Sequence, residues 1–155
     1  MSTTDPHQIS QDFTVTERQY IGSGAILPGH LVEPTSTEGQ CKVHATSGGS
    51  MAVLIALEDQ GVGGKISTPY ADKANVRVGA FCTGKRFYGR VQNGQTVAAG
   101  AKLESAGDGT FKVLSTDLPS YQELNSVRVW AVKACDMSGS SGADPTGGLC
   151  LMEVM

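Results

Sequence analysis

The chain has 155 residues, 39% of them hydrophobic and only 17% charged, with 20 glycines and a formal net charge of -3. That length gives one domain with a real core, or two very small ones sharing it. A pI near 5.5 removes the electrostatic case for free nucleic acid, which needs a basic face. No run approaches the ~18 apolar residues of a membrane helix.

Residues Met1–Thr16 are polar and lack hydrophobic periodicity, which predicts an extended arm; with the approach to Tyr20 it occupies 1–19. The start Met-Ser-Thr-Thr-Asp-Pro-His-Gln has neither a basic region nor an apolar stretch, so it does not read as a secretory signal and implies a cytosolic product. From Tyr20 short apolar segments alternate with turn clusters: Leu31-Val32, Cys41–His44, Ala52–Leu57, Val76–Phe81, Phe87–Val91, Leu103-Glu104, Phe111–Leu114 and Val127–Ala134. Pro28-Gly29, Ser47–Ser50, Gly61–Gly64, Gly84, Asn93-Gly94, Gly107–Gly109 and Leu118–Ser120 separate them. Short strands about ten residues apart predict an all-β fold over 20–135, a small β-barrel or β-sandwich. Val127–Ala134 alternates most cleanly, placing Val127, Val129 and Ala131 inward.

Asn93-Gly94 predicts a type I′ hairpin into Gly94–Glu104, and Asp108-Gly109 another between Leu103-Glu104 and Phe111–Val113. Met51–Asp59 has helical length, but its place in the repeat described next favours strand. Residues 136–155 predict a flexible Gly/Ser-rich linker followed by an apolar strand, Leu149–Met155. That strand either closes the barrel or is donated to a neighbouring subunit.

An imperfect repeat runs through the chain. Gly-Ala-Ile-Leu-Pro-Gly-His-Leu-Val-Glu at Gly24–Glu33 returns as Gly-Gln-Thr-Val-Ala-Ala-Gly-Ala-Lys-Leu-Glu at Gly94–Glu104, offset by 70 residues with a one-residue slip. Each copy continues through a glycine turn into Lys-Val, at Lys42-Val43 and Lys112-Val113. The repeated positions are turn-formers and apolar residues, a scaffold signature of two similar halves around one core. Function is then expected in the arms, the loops and the outer faces.

Candidate chemistry is sparse. Gly79-Ala-Phe-Cys-Thr-Gly84-Lys85 has phosphate-loop spacing, but Arg86 replaces the magnesium-binding hydroxyl and a strand follows where a helix must open. A hairpin turning at Thr83-Gly84 explains the same residues. Gly61–Lys65 lacks the first glycine, since Asp59 stands there. Lys85, Arg86 and Arg90 read as a solvated basic turn. His7, His30 and His44 have no metal-ligand spacing; a site would need His30 and His44 to converge with Glu33 or Glu58. Glu58-Asp59 reads as strand-end acids. Lys102 lies on a strand approach rather than at the hairpin tip that biotinyl and lipoyl carriers require. Cys41, Cys82, Cys135 and Cys150 have no C-x-x-C pair; buried free thiols are expected, with a Cys135–Cys150 bridge left open. No catalytic, cofactor-binding or metal-ligating residue is assigned.

The segments Gly24–Glu33, Ala56-Leu-Glu-Asp59, Tyr70-Ala-Asp-Lys-Ala-Asn-Val-Arg-Val78 and Gly94–Gly109 resemble the head decoration (cement) proteins of tailed bacteriophages, over Tyr20–Ala134. The resemblance implies a structural virion protein made in the host cytoplasm and bound to the outer surface of an icosahedral head. Its partner there is the major capsid protein, at subunit junctions that it stiffens. It implies a homotrimer, or a dimer, with no cofactor, catalysis, direct nucleic acid or membrane contact. Two other classes compete: a small soluble β-barrel that binds a ligand, and an enzyme whose site assembles between subunits.

Overall fold

The computed structural model describes residues 8–12, 15–114, 126–139 and 148–155. Among them the protein is all-β. The strands are β1 (Thr16–Gly22), β2 (Val32–Pro34), β3 (Gln40–Val43), β4 (Leu54–Ala56), β5 (Asn75–Ala80), β6 (Arg86–Val91), β7 (Thr96–Val97), β8 (Lys102–Ser105), β9 (Phe111–Val113), β10 (Val129–Ala131), β11 (Cys135–Asp136) and β12 (Gly148–Val154), with a 3-10 turn at Gln60–Val62.

The repeat is a repeat of topology. One sheet has the order β2-β3-β1-β5-β4, and a closed barrel has the order β8-β9-β6-β12-β10. The pairings agree as well. β1 meets β3 in parallel through Gly22 and Cys41, and β6 meets β9 in parallel through Val91 and Phe111. All other pairs within the two sheets are antiparallel. The first sheet also bends round on itself, because Leu31, just before β2, bridges to Ile55 of β4. The β10–β8 pair closes the second barrel at the matching place. Even the small ribbon of β7 with β11 has a counterpart, the bridge between Ile26 and Tyr70.

Glycines with positive φ recur at matching turns: Gly29 (91°) and Gly100 (82°), Gly39 (73°) and Gly109 (85°). This left-handed region is costly for any residue with a Cβ. At Gly29 space is short too: a Cβ would lie 2.9 Å from Leu149 Cδ2 and 3.2 Å from the Tyr88 carbonyl. Gly29→Ala should therefore cost about 2–3 kcal/mol, against about 1 kcal/mol for Gly39→Ala, where the space is open. Urea midpoints of the two variants check the difference.

Each half has its own apolar cluster, where the sequence led us to expect one shared core. Ile26, Val32, Cys41, Ala56, Val76 and Val78 fill the first. The second contains Phe87, Val91, Leu103, Phe111, Val129, Ala131, Met152 and Val154, and it extends across the junction to Leu31, Ile55, Leu57 and Phe81 of the first half. Aliphatic residues and Cys41 fill the first cluster, whereas Phe87 and Phe111 fill the second.

Most of the expected strands are present, including Leu54–Ala56 where a helix competed, and the Asp108-Gly109 hairpin joins β8 to β9. Val127, Val129 and Ala131 point inward as expected. Two hairpins differ. Asn93-Gly94 is a turn, with Gln95 N–H on Gln92 O at 3.3 Å. Its positive φ falls on Gly94 alone, as in a type II turn rather than type I′, and β7 pairs with β11 instead of β6. The turn at Cys82–Lys85 is real, yet it carries the chain from β5 in one sheet to β6 in the other.

The N-terminal part also differs from an arm. Thr16–Gln19 belong to β1, on an exposed stretch whose polarity hid it. Gln8–Asp12 lies along β6: Tyr88 donates its N–H to Ile9 O (2.8 Å), Gln11 to Arg86 O (3.1 Å), and Ser10 bridges Phe87. β9 covers β6 only at Val91, so the first half of β6 has free backbone groups that this segment satisfies. Ile9 is fully buried in the second core. A lone isoleucine among polar residues has no periodicity to reveal it. At the other end β12 lies between β6 and β10, with Cys150, Met152 and Val154 inward. It closes its own chain's barrel. Of the expected linker, 140–147 lie outside the described residues, as do 1–7 of the arm and the Leu118–Ser120 turn.

Candidate functional site

The densest polar chemistry lies where the two halves meet. Arg90 projects from β6 into that junction. It is 6% exposed, so it is no part of a solvated basic turn. Its Nε donates to Pro28 O (2.8 Å) and a terminal nitrogen to Ile66 O (2.7 Å), while its backbone N–H reaches Gly29 O (3.1 Å). A buried guanidinium on carbonyls of the other half is a strut: charge-assisted bonds are the stronger kind, and loss of one partner leaves carbonyls bare. Lys85 and Arg86 do stay near the surface, facing Asp12 at 4.0 Å and Glu153 at 2.8 Å.

Beside Arg90 is His30, 7% exposed. Its Nδ1 accepts the Leu27 N–H at 3.1 Å, which puts the proton of the neutral ring on Nε2. Burial, and then the nearby Arg90 charge, lower its pKa from 6.5 to about 4, against a smaller opposing pull from Asp108. The ring is neutral at physiological pH.

His44, Ser105 and Glu33 form a second group. His44 Nε2 is 3.0 Å from Ser50 O, and Nδ1 is 2.7 Å from Ser105 Oγ. The carbonyl requires a donor, so Nε2 carries the proton and Nδ1 accepts from the serine hydroxyl. Glu33 lies 3.5 Å from Nε2. Hydroxyl, imidazole and carboxylate are the parts of an acyl-transfer triad. Here, though, Ser105 is 0% exposed, and its oxygen already accepts the Gly107 N–H at 3.2 Å. A substrate carbonyl has no approach to it. Next to it Glu104, 1% exposed, faces Lys112 at 3.5 Å, and Lys112 donates to Ser47 Oγ at 2.7 Å. The junction is a network that joins the halves.

The metal candidates are therefore divided. His44 and Glu33 come together, His30 sits apart with Arg90, and His7 lies outside the described residues. Glu58 stands between the end of β4 and the Gln60–Val62 turn, as expected, but it is buried: its carboxylate accepts the Ile9 N–H at 3.0 Å and the Gln60 amide at 3.1 Å. Among the described residues no group of three His, Cys, Asp or Glu is arranged to hold a metal ion. Lys102 is a strand residue of β8. All four cysteines are free thiols; Cys41 and Cys150 are buried, Cys135 is half-buried and Cys82 is exposed.

Two cavities open at the surface. One, of about 160 Å³, is lined by Gln8, Ser10, Asp12, Glu17, Glu58 and Arg77 among others; Arg77 grips Glu17 through both oxygens at 2.7–2.8 Å. The other, of about 280 Å³, is more apolar and lies around Val62, Pro69, Tyr70 and Ala74. Val62 at its rim is 82% exposed.

The sequence held one unused signal for the junction. Comparing the two copies of the repeat, His30 stands where the second copy has Ala101, and His44 where it has Leu114. Both of these polar groups, present in one copy only, face the other half, His30 towards Arg90 and His44 towards Ser105.

No family model and no curated protein sequence matches the chain. The fold is similar to that of a solved structure described as the head fiber gp8.5 N base in bacteriophage phi29, with a TM-score of 0.57 over 92% of this chain and 95% of that one. At 13% identity the likeness shows a shared fold across nearly the whole length of both chains.

Proposed function

We propose that the protein is a structural component of a bacteriophage virion. In this reading it is seated on the outer surface of the icosahedral head, where it stabilises contacts between major capsid subunits. The observation that carries the reading is the whole-length likeness to a phage head fiber base, reached independently of the glycine-turn motifs that resemble decoration proteins. The chemistry is compatible. In the one hydroxyl–imidazole–carboxylate set described, the hydroxyl and the imidazole are buried, and the conspicuous polar groups join the two halves. We assign no cofactor and no reaction. The partners are the major capsid protein and further copies of the chain, as a trimer or alternatively a dimer. Many identical weak sites on one shell would give high occupancy by avidity.

The alternative is a small ligand-binding module, and the cavity around Tyr70 is the observation in its favour. The barrel interiors themselves are filled by side chains. Co-sedimentation of the full chain with expanded heads of the encoding phage that lack it separates the two. Saturable binding in a fixed ratio to the capsid subunit, and a solution mass three times the 16.1 kDa chain, are expected. A monomer that leaves the heads bare overturns the proposal.

A further inference from the structure

After the Trp130 strand, the chain folds back across the start of β12. Val132 donates its N–H to Leu151 O at 2.9 Å. Further along, Met137 packs so closely over Gly148 that a Cβ there would come within 3.1 Å of Met137 Cε. Between these two anchors Cys135 of β11 faces Cys150 of β12. Cys135 packs against the apolar cluster that contains Cys150, and Cys150 donates its S–H to Lys133 O at 3.4 Å. Both are free. They differ in access: Cys150 is 3% exposed and faces the second core, while Cys135 is half-buried at its margin.

We propose that Cys135 and Cys150 are a dithiol modification site, converted to an intramolecular disulfide by exchange with a low-molecular-weight disulfide. Cys135, the reachable sulfur, is the attacking group. Its interaction with Cys150 lowers its pKa, while the interaction with Cys135 and burial push that of Cys150 up. The thiolate is the reactive form. Cys135 loses its proton to solvent and attacks one sulfur of RS–SR. That S–S bond breaks, and the RS⁻ released takes up a proton. Cys150 then loses its proton to solvent and attacks Cys135 Sγ in the mixed disulfide, releasing the second RSH. Two protein thiols are oxidised and one small disulfide is reduced to two thiols. The product ties the β7–β11 ribbon, otherwise held by the Cys135–Val97 and Asp136–Thr96 pairs, to the barrel wall. Cys41 and Cys82 show neither feature together: Cys41 is buried, with its pKa pushed up to about 11 by burial, and Cys82 is exposed.

The test uses the full chain carrying Cys82→Ser, incubated with oxidised glutathione. Residues 134–155 contain no Lys or Arg, so trypsin releases both cysteines in one peptide. Expected is that this peptide becomes lighter by two hydrogens, and that the melting temperature rises by about 5–10 °C, reversibly with dithiothreitol. With Cys150→Ser added, exchange should stop at a glutathione adduct on Cys135 and the rise in melting temperature should vanish. A peptide that keeps two free thiols overturns the proposal, as does a doubly glutathionylated one. A Cys150→Ser variant in which Cys135 stays unmodified overturns the assigned order of attack.

Discussion

Replacing Phe111 with alanine is expected to remove about 3–5 kcal/mol of stability, a large part of what holds a domain of this size together. Phe111 is fully buried on β9, its ring centroid 6.1 Å from that of Phe87. The ring also fills the space that Gly89 leaves on β6, where an added Cβ would lie 3.0 Å from Phe111 Cε2. Backbone pairing holds that gap open, so truncation leaves a cavity that the wall has little freedom to close. Phe111→Leu should cost about 1 kcal/mol, since most of the volume remains. The matching position of the first half is Cys41, equally buried but small, and Cys41→Ala should cost about 1 kcal/mol. Equilibrium urea unfolding of the three variants gives the ranking. A Phe111→Ala variant within 1 kcal/mol of the parent would show that the second barrel is not the main store of stability.

The second large effect is acid lability, and His30 sets its window. In the folded chain its pKa is lowered to about 4 from the ordinary 6.5. Below pH 6.5 the unfolded chain takes up a proton that the native junction refuses, so unfolding is favoured as pH falls. The contribution is complete above pH 6.5, declines through the interval, and is gone once the folded ring itself titrates near pH 4. At about 1.4 kcal/mol per pKa unit, the loss is about 3 kcal/mol. Protonation at Nδ1 also removes the acceptor of the Leu27 N–H and adds a second cation beside Arg90. Asparagine offers an oxygen near the position of Nδ1 without titrating. The His30→Asn variant should therefore show a flatter stability curve from pH 6.5 to 4 than the parent, when urea midpoints are measured at each pH. Parallel curves for the two proteins would remove His30 from this role.

Local structure was legible in the sequence wherever a single strand and its turn carried their own signal. Val127–Ala131 alternates, Asp108-Gly109 turns, and the glycines of the repeat fall at left-handed positions because little else tolerates them. Pairing was less legible, because partners are chosen by long-range geometry. Asn93-Gly94 looks like a hairpin tip between neighbouring strands, but β6 takes β12 and β9 instead. Ile9 shows the same limit: its burial depends on a vacant edge far along the chain, at Phe87–Tyr88. The polar junction was the least readable part. His30, His44 and Glu33 drew notice as metal-ligand types, yet their burial comes from the opposite half, and Arg90 looks like any surface cation until Pro28 and Ile66 are placed over it.

The position of β12 between β6 and β10 also bears on the order in which the molecule is built. The strands of the first sheet are all in hand once Ala80 has been synthesised, while the second barrel waits for Gly148–Val154. Through that interval a nascent chain carries β6 and β10 as open edges, the kind of surface that pairs with whatever strand is nearest. Closure joins residues far apart in sequence and is slow for that reason. The growing chain thus holds a half-finished container, and conditions that delay insertion of this one strand should divert the product into aggregates before they affect the folded protein.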